Sequence, residues 1–183
     1  MSSTSAILRT VQSRSGADFS CYRPATVERR IHNRMASLGL KDLASYGLLL
    51  EQCDDEPRHL IERLTIKVSR FYRNTDVFDT IRTTVLAQLR EAARPLRVWS
   101  AGCARGEEAY TLAMLLEECG AEGCVTATDI DSFALAASRE GVYPEQLASD
   151  LPASLRSRFS AAARRPGRAK AWRVRGCKTT RRV

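Results

Sequence analysis

The residues of this chain whose types and spacing could do chemistry lie between Leu96 and Ala113, LRVWSAGCARGEEAYTLA. Leu96-Arg97-Val98-Trp99 is short, apolar and partly β-branched, and reads as a buried strand. Ser100 to Gly106 comes next, mostly small residues with glycines at 102 and 106, and Glu107-Glu108 open a helical pattern through Tyr110, Leu112, Met114 and Leu115. A strand, a glycine loop and a helix N-terminus make a ligand site. Glycine lets a ligand approach the backbone, and the free N–H groups of the first helical turn point toward it. The two carboxylates restrict what that ligand can be. They suit the positive end of the helix dipole, yet they would repel a pyrophosphate. The expected ligand is neutral or cationic and carries hydroxyl and amine donors. The same residues would also serve as an ordinary turn between a strand and a helix.

A third acid sharpens the reading. Cys124-Val125-Thr126-Ala127-Thr128-Asp129-Ile130-Asp131 reads as the next parallel strand, and Asp129 lies 23 residues after Gly106. An acid at about that distance, at the tip of the second strand, is where a nucleoside-binding sheet holds ribose hydroxyls. Asp129 and Asp131 could instead cap the helix that begins near Ser132. The strand-end position favours ribose binding for Asp129 and the cap for Asp131.

WSAGCARGEEAYTLAMLL followed by ATDID resembles the CheR-type chemotaxis receptor methyltransferases, which use S-adenosylmethionine to methylate glutamate side chains. Arg105 and Ala109 replace the family's common Ser/Thr and Pro, and neither change removes a glycine or a carboxylate. A second stretch, Thr65-Ile66-Lys67-Val68-Ser69-Arg70-Phe71-Tyr72-Arg73, resembles the family segment that reaches from a helical domain over the cofactor. The resemblance implies cofactor contacts at Lys67, Ser69, Arg73, Gly102, Gly106, Glu108 and Asp129. Arg73 would pair with the cofactor's carboxylate, a task that suits its bidentate fork. Lys67 departs from the family's common Asn, so its contact differs. Phe71 and Tyr72 read as core.

Arg29, Arg30 and Arg34 lie with His32 on a helix whose apolar side is Val27, Ile31, Met35 and Leu38. Charge alone allows either a solvated face or a docking face. The resemblance implies docking to the acidic helices of a chemotaxis receptor. It also implies that no general base is needed, because a glutamate with a reference pKa of about 4.3 is already anionic at neutral pH. His32 and His59 therefore receive no catalytic role.

The elements that must position these residues give an α+α/β fold class: an N-terminal all-helical domain, then the first βαβ part of a Rossmann-like methyltransferase domain with an incomplete sheet. The expected divisions are 1–75 helical, 76–95 linking helix, 96–159 partial cofactor-binding domain and 160–183 basic tail. Ile7, Leu8 and Val11 suggest one helical turn, and Thr26 and Asp42 read as N-caps. Gly39 stops the second helix. Asn74 to Ala92 reads as one long amphipathic helix with Phe78, Ile81, Val85, Leu86 and Leu89 as its stripe. Gly141-Val142-Tyr143-Pro144 reads as a turn. The resemblance covers about residues 18–159. The family's small β-subdomain and later strands are expected to be missing, with Ala171–Val174 either the first strand of that subdomain or part of an unrelated tail. The chain is therefore expected to be a truncated form, marginally stable and inactive.

The net charge of +8 comes from the tail. Residues 160–183 hold nine Lys/Arg and no acid, while the other 159 residues hold 20 basic and 21 acidic side chains. The pI is thus no nucleic-acid footprint for the folded part. Six cysteines show neither a C-x-x-C pair nor metal spacing, so no metal is expected. No apolar run approaches membrane-spanning length, and Met1-Ser-Ser-Thr-Ser does not resemble a secretory leader. The expectation is a cytoplasmic monomer. Two competing functions are a non-catalytic module that binds receptors or signalling proteins, and a nucleic-acid methyltransferase suggested only by the basic tail.

Overall fold

A computed structural model of the chain describes residues 3–66, 68–90, 94–163, 171–174 and 179–181. The chain divides into two units, one of residues 1–66 with 130–132, the other of residues 67–129 with 133–183.

The first unit is helical: α1 Thr4–Ser15, α2 Pro24–Ser37, α3 Leu43–Gln52 and α4 Glu56–Leu64. The N-terminal residues form more than the single turn expected. Ser3 caps α1 through a bond from the Ala6 N–H (3.3 Å), and Gly16 ends it in the left-handed region at φ +74°. Between these caps, Ile7 and Val11 reach the core. Thr26 does not cap α2; the helix begins at Pro24 after Arg23, because proline's fixed φ suits a first helical position. Asp42 does cap α3, accepting from Ser45 N at 2.8 Å. Val27, Ile31 and Met35 of α2 pack with Tyr46, Leu50, Leu60 and Leu64, each fully buried aliphatic side chain contributing roughly 1.5–3 kcal/mol. Asp131 belongs to this unit, is buried, and accepts from Thr65 Oγ1 at 3.1 Å.

The second unit contains two sheets. β1 (Leu96–Ala101), β2 (Gly123–Thr128) and β6 (Thr179–Arg181) form a parallel sheet in the order β1-β2-β6. The third strand goes beyond the two-stranded start of a sheet read from the sequence. α7 (Glu107–Glu118) connects β1 to β2 and packs on both, with Met114 and Leu115 fully buried. β1 is not buried on both faces as expected. Leu96 and Ser100 are buried whereas Arg97, Trp99 and Ala101 face solvent, Trp99 at 69% exposure. Burial alternates along β1, the pattern of a strand with one covered face, and parallel sheets become wholly apolar only when both faces are covered.

The second sheet corrects two expectations. Val142–Pro144 is not a turn but a strand, β3, and Ala171–Val174 is β5, the central strand of an antiparallel sheet ordered β3-β5-β4 with β4 at Ser160–Ala163. A small β structure is therefore present, and Ala171–Val174 is its middle strand. α8 (Ser132–Glu140) and α9 (Ala153–Phe159) complete the unit.

The helix expected from Asn74 to Ala92 is described as far as Arg90 and is not uniform. α5 (Thr75–Thr80) runs into a π-helical stretch, Ile81–Val85, before α6 (Leu86–Arg90). The wider turn rotates the succeeding residues off the 3.6-residue period. Phe78 and Leu86 remain buried, but Val85 and Leu89 turn outward at 41% and 44% exposure.

Candidate cofactor-binding site

The site forms where β1 and β2 end. Their register pairs Ala101 with Thr128, which sets the loop after β1 beside the residue after β2. The Cys103 N–H donates to the Thr128 carbonyl at 2.9 Å, and the Ala104 N–H donates to Asp129 Oδ2 at 2.7 Å. Asp129 thus holds the glycine loop by its backbone while remaining half-exposed. Ala104 has φ +48°, a strained value for a residue with a Cβ, and the charge-assisted bond from its own N–H helps offset that strain.

The two glycines serve different purposes. Gly102 has φ +71° and nothing within 4 Å of where a Cβ would stand, so it leaves an open approach to the backbone. Gly106 has φ +95° and opens α7, and a Cβ there would lie 2.2 Å from Ser138 Oγ. Its missing side chain makes room for α8.

Glu108 is exposed and accepts from Ser100 Oγ at 2.7 Å. Glu107 is buried at 2% exposure, and its Oε2 has no hydrogen-bond partner among the described residues. Three carboxylates, Glu107, Glu108 and Asp129, thus surround one helix N-terminus. Buried Cys103 registers their field: burial first, then the charge of Asp129, push its thiol up to about 11. It is no nucleophile at neutral pH. An open glycine backbone beside the carboxylates of Glu108 and Asp129 fits a ligand with hydroxyls and positive charge, and does not fit a bare phosphate.

The segment before α5 joins this loop through its aromatic residues. Tyr72 N–H donates to Thr111 Oγ1 of α7 at 3.2 Å, and Phe71 packs edge-on against Tyr143. Both are buried, as expected. Tyr72 and Asn74 take φ values of +52° and +59°, so the turn carrying Arg73 is tightly wound. The Arg73 Nη1 donates to the Val68 carbonyl at 2.8 Å, and its side chain is exposed. Ser69 is half-buried, and Lys67 lies outside the described residues.

The family described as "CheR methyltransferase, SAM binding domain" matches residues 67–175, and "CheR methyltransferase, all-alpha domain" matches residues 3–65. The chain belongs to the CheR methyltransferase family. S-adenosylmethionine is the cofactor of the matched CheR domain. The match runs past Phe159, the limit read from the sequence, and takes in β4 and β5. The chain is 30% identical to a chemotaxis protein methyltransferase of Borreliella burgdorferi, an alignment that covers 85% of this chain and 59% of that protein. It is 34% identical to chemotaxis protein methyltransferase 2 of Pseudomonas aeruginosa over 73% of this chain and 49% of that protein. It is also 38% identical to an uncharacterized 104.1 kDa protein of Rhodobacter capsulatus over 78% of this chain and 16% of that protein. The chain spans about half the length of the named chemotaxis methyltransferases it matches.

Within this CheR chain, the three arginines read as a docking face have separate surroundings. Arg29 is exposed. Arg30 Nη1 donates to the carbonyls of Arg63, Leu64 and Thr65 at 3.0, 2.8 and 2.9 Å, closing the C-terminus of α4. Arg34 forms a bidentate pair with buried Glu56 at 2.9 and 2.6 Å, and Tyr46 Oη donates to the same carboxylate at 2.8 Å. A solvated or docking face therefore retains Arg29, while Arg30 and Arg34 hold the helices together.

Sequence reasoning did not find Ser100, Ala104, Thr111 or Tyr143 as parts of the site. Ala104 contributes only a backbone N–H, which no residue type announces. Tyr143 stood in a stretch read as a turn, and its partner lies 38 residues away. Among the described residues no cluster of three or more His, Cys, Asp or Glu could hold a metal, and no helix is long and apolar enough to cross a membrane.

Proposed function

We propose that this chain carries the S-adenosylmethionine-binding and receptor-recognising parts of a protein-glutamate O-methyltransferase acting on chemotaxis receptors. The observation that supports this most strongly is the hydrogen bond from the Ala104 N–H to Asp129, which joins the glycine loop to the acid at the tip of β2 in one site.

When bound, the cofactor supplies a sulfonium-activated methyl group. Asp129 holds the ribose hydroxyls. The backbone at Gly102 and Gly106 lines the approach, and Glu108 adds a polar contact at the loop. Arg73, whose Nη1 donates to the Val68 carbonyl at 2.8 Å, would hold the carboxylate, with Ser69 and Lys67 the further contacts that the family resemblance implies. A receptor glutamate is already anionic at neutral pH, so no side chain of this chain needs to remove a proton. The residues act by alignment and by excluding water. Arg29 is the docking contact for an acidic receptor helix; Arg30 and Arg34 support it by fixing α2 on α4.

Incubation of the 183-residue chain with methyl-labelled S-adenosylmethionine and receptor cytoplasmic fragments tests this reading. The expected product is a methyl ester on glutamate, which releases labelled methanol in base. No base-labile label, with cofactor binding intact, would leave the second reading: a non-catalytic module that binds receptors.

A further inference from the structure

Tyr143 lies outside both signature stretches, yet it touches each of them. It is 2% exposed on β3, and its hydroxyl donates to the carbonyl oxygen of Arg105 at 2.7 Å, the peptide that leads into Gly106. Its ring meets Phe71 edge-on with centroids 4.8 Å apart, and Tyr110 of α7 at 6.1 Å. Phe71 stands between Ser69 and Arg73 in the chain. Gly106 provides the space: a Cβ there would stand 3.1 Å from Tyr143 Oη.

Filling the core requires only the ring. A buried hydroxyl also needs a partner, and here the partner is a carbonyl of the glycine loop. That loop needs support, because Ala104 holds φ +48° despite its Cβ. Such conformations persist where the surroundings over-determine them.

We propose that Tyr143 is a positioning residue for the cofactor, holding the glycine loop through the Arg105 carbonyl and the Ser69–Arg73 segment through Phe71. The inference rests on reading that loop as the S-adenosylmethionine site. It also assigns a purpose to the small antiparallel sheet. Tyr143 pairs in register with Trp172 of β5, so β5 supports the backbone from which Tyr143 reaches the loop.

The test compares the full chain with Tyr143→Phe and Tyr143→Leu by calorimetric titration with S-adenosylmethionine and by amide ¹H–¹⁵N spectra. Tyr143→Phe is expected to weaken binding about five- to tenfold and to move the Gly106 amide resonance, leaving those of α1–α4 and of Ser69–Arg73 in place. Tyr143→Leu, which also removes the ring, is expected to move the Ser69–Arg73 resonances as well. A residue that merely fills the core would give Tyr143→Phe with wild-type affinity and an unmoved Gly106 amide, and either result overturns the proposal. If the wild-type chain itself does not bind S-adenosylmethionine, the cofactor reading falls. The positioning claim is then decided by the ligand-free spectra, where an unmoved Gly106 amide in Tyr143→Phe overturns it.

Discussion

Gly102 and Gly106 look alike in the sequence and differ in the structure. An alanine at 102 meets open space and only the strain of a positive φ, so Gly102→Ala should cost about 1–2 kcal/mol. An alanine at 106 meets Ser138 Oγ at 2.2 Å besides that strain, so Gly106→Ala should cost about 3 kcal/mol or more. Chemical denaturation of the two variants checks the ordering, and equal losses would contradict it. The cysteines give a second residue-scale prediction. Cys103 is buried with its thiol pushed up to about 11, whereas Cys21 is exposed. Iodoacetamide at neutral pH should label Cys21 and spare Cys103 in the native chain, as read by peptide mass spectrometry. At this scale the acids of the site were legible because their spacing alone carries meaning: Glu108 and Asp129 stand at the loop as read. The backbone donors were not legible, because a peptide N–H has no letter in the sequence.

At the scale of elements, α2 and α4 are joined by a buried ion pair as well as by packing. Burial pushes the Glu56 carboxyl up, but the hydrogen bonds from Arg34 and Tyr46 outweigh it and hold the group below the usual carboxylate range. Burial, and then the bond to Glu56, push the Tyr46 hydroxyl up. Because the folded value of Glu56 is depressed, the pair contributes its full stability above the unfolded value of about 4.3 and loses it as pH falls through the folded value. Acid unfolding of the helical unit, followed by circular dichroism, should therefore set in below about pH 4. Glu56→Gln should flatten that dependence while lowering stability at neutral pH by about 3–5 kcal/mol, the cost of leaving Arg34 buried without its charge partner. A variant with unchanged acid dependence would contradict this account. Charge patterning showed arginines on α2 but could not distinguish Arg29, which faces solvent, from Arg30 and Arg34, whose partners lie 22 to 35 residues away in sequence. The same limit explains the helix after Asn74. Its apolar period was legible, but the π-helical stretch that turns Val85 and Leu89 outward arises from backbone hydrogen bonding.

At the scale of the whole molecule, a helical part and a sheet-bearing part were read from the change from 3.6-residue periodicity to the strand–loop–helix of residues 96–113, but the units divide at 66/67 and not after 75, residues 76–95 fall in the second unit, and 130–132 belong to the first. The second sheet was not read. β3 is three residues long, and its partner β5, with β4 on the far edge of β5, is supplied by later parts of the chain. Strands that short gain their identity from pairing, not from propensity. The basic tail was read chiefly as a charge anomaly; Ala171–Val174, now β5, was offered as a strand within it, but composition hid β4 and β6. The parallel ladder between β1 and β2, with α7 packed on it, suffices to bring Asp129 to the glycine loop. The central claim is that this arrangement is a working cofactor site in the chain as it stands. Its most direct test is calorimetric titration of the 183-residue chain with S-adenosylmethionine, beside Asp129→Ala. The account predicts one binding site in the wild type and at least a tenfold loss in the variant, about 1.4 kcal/mol. A folded wild-type chain that shows no binding, or an Asp129→Ala chain that binds equally well, would contradict it.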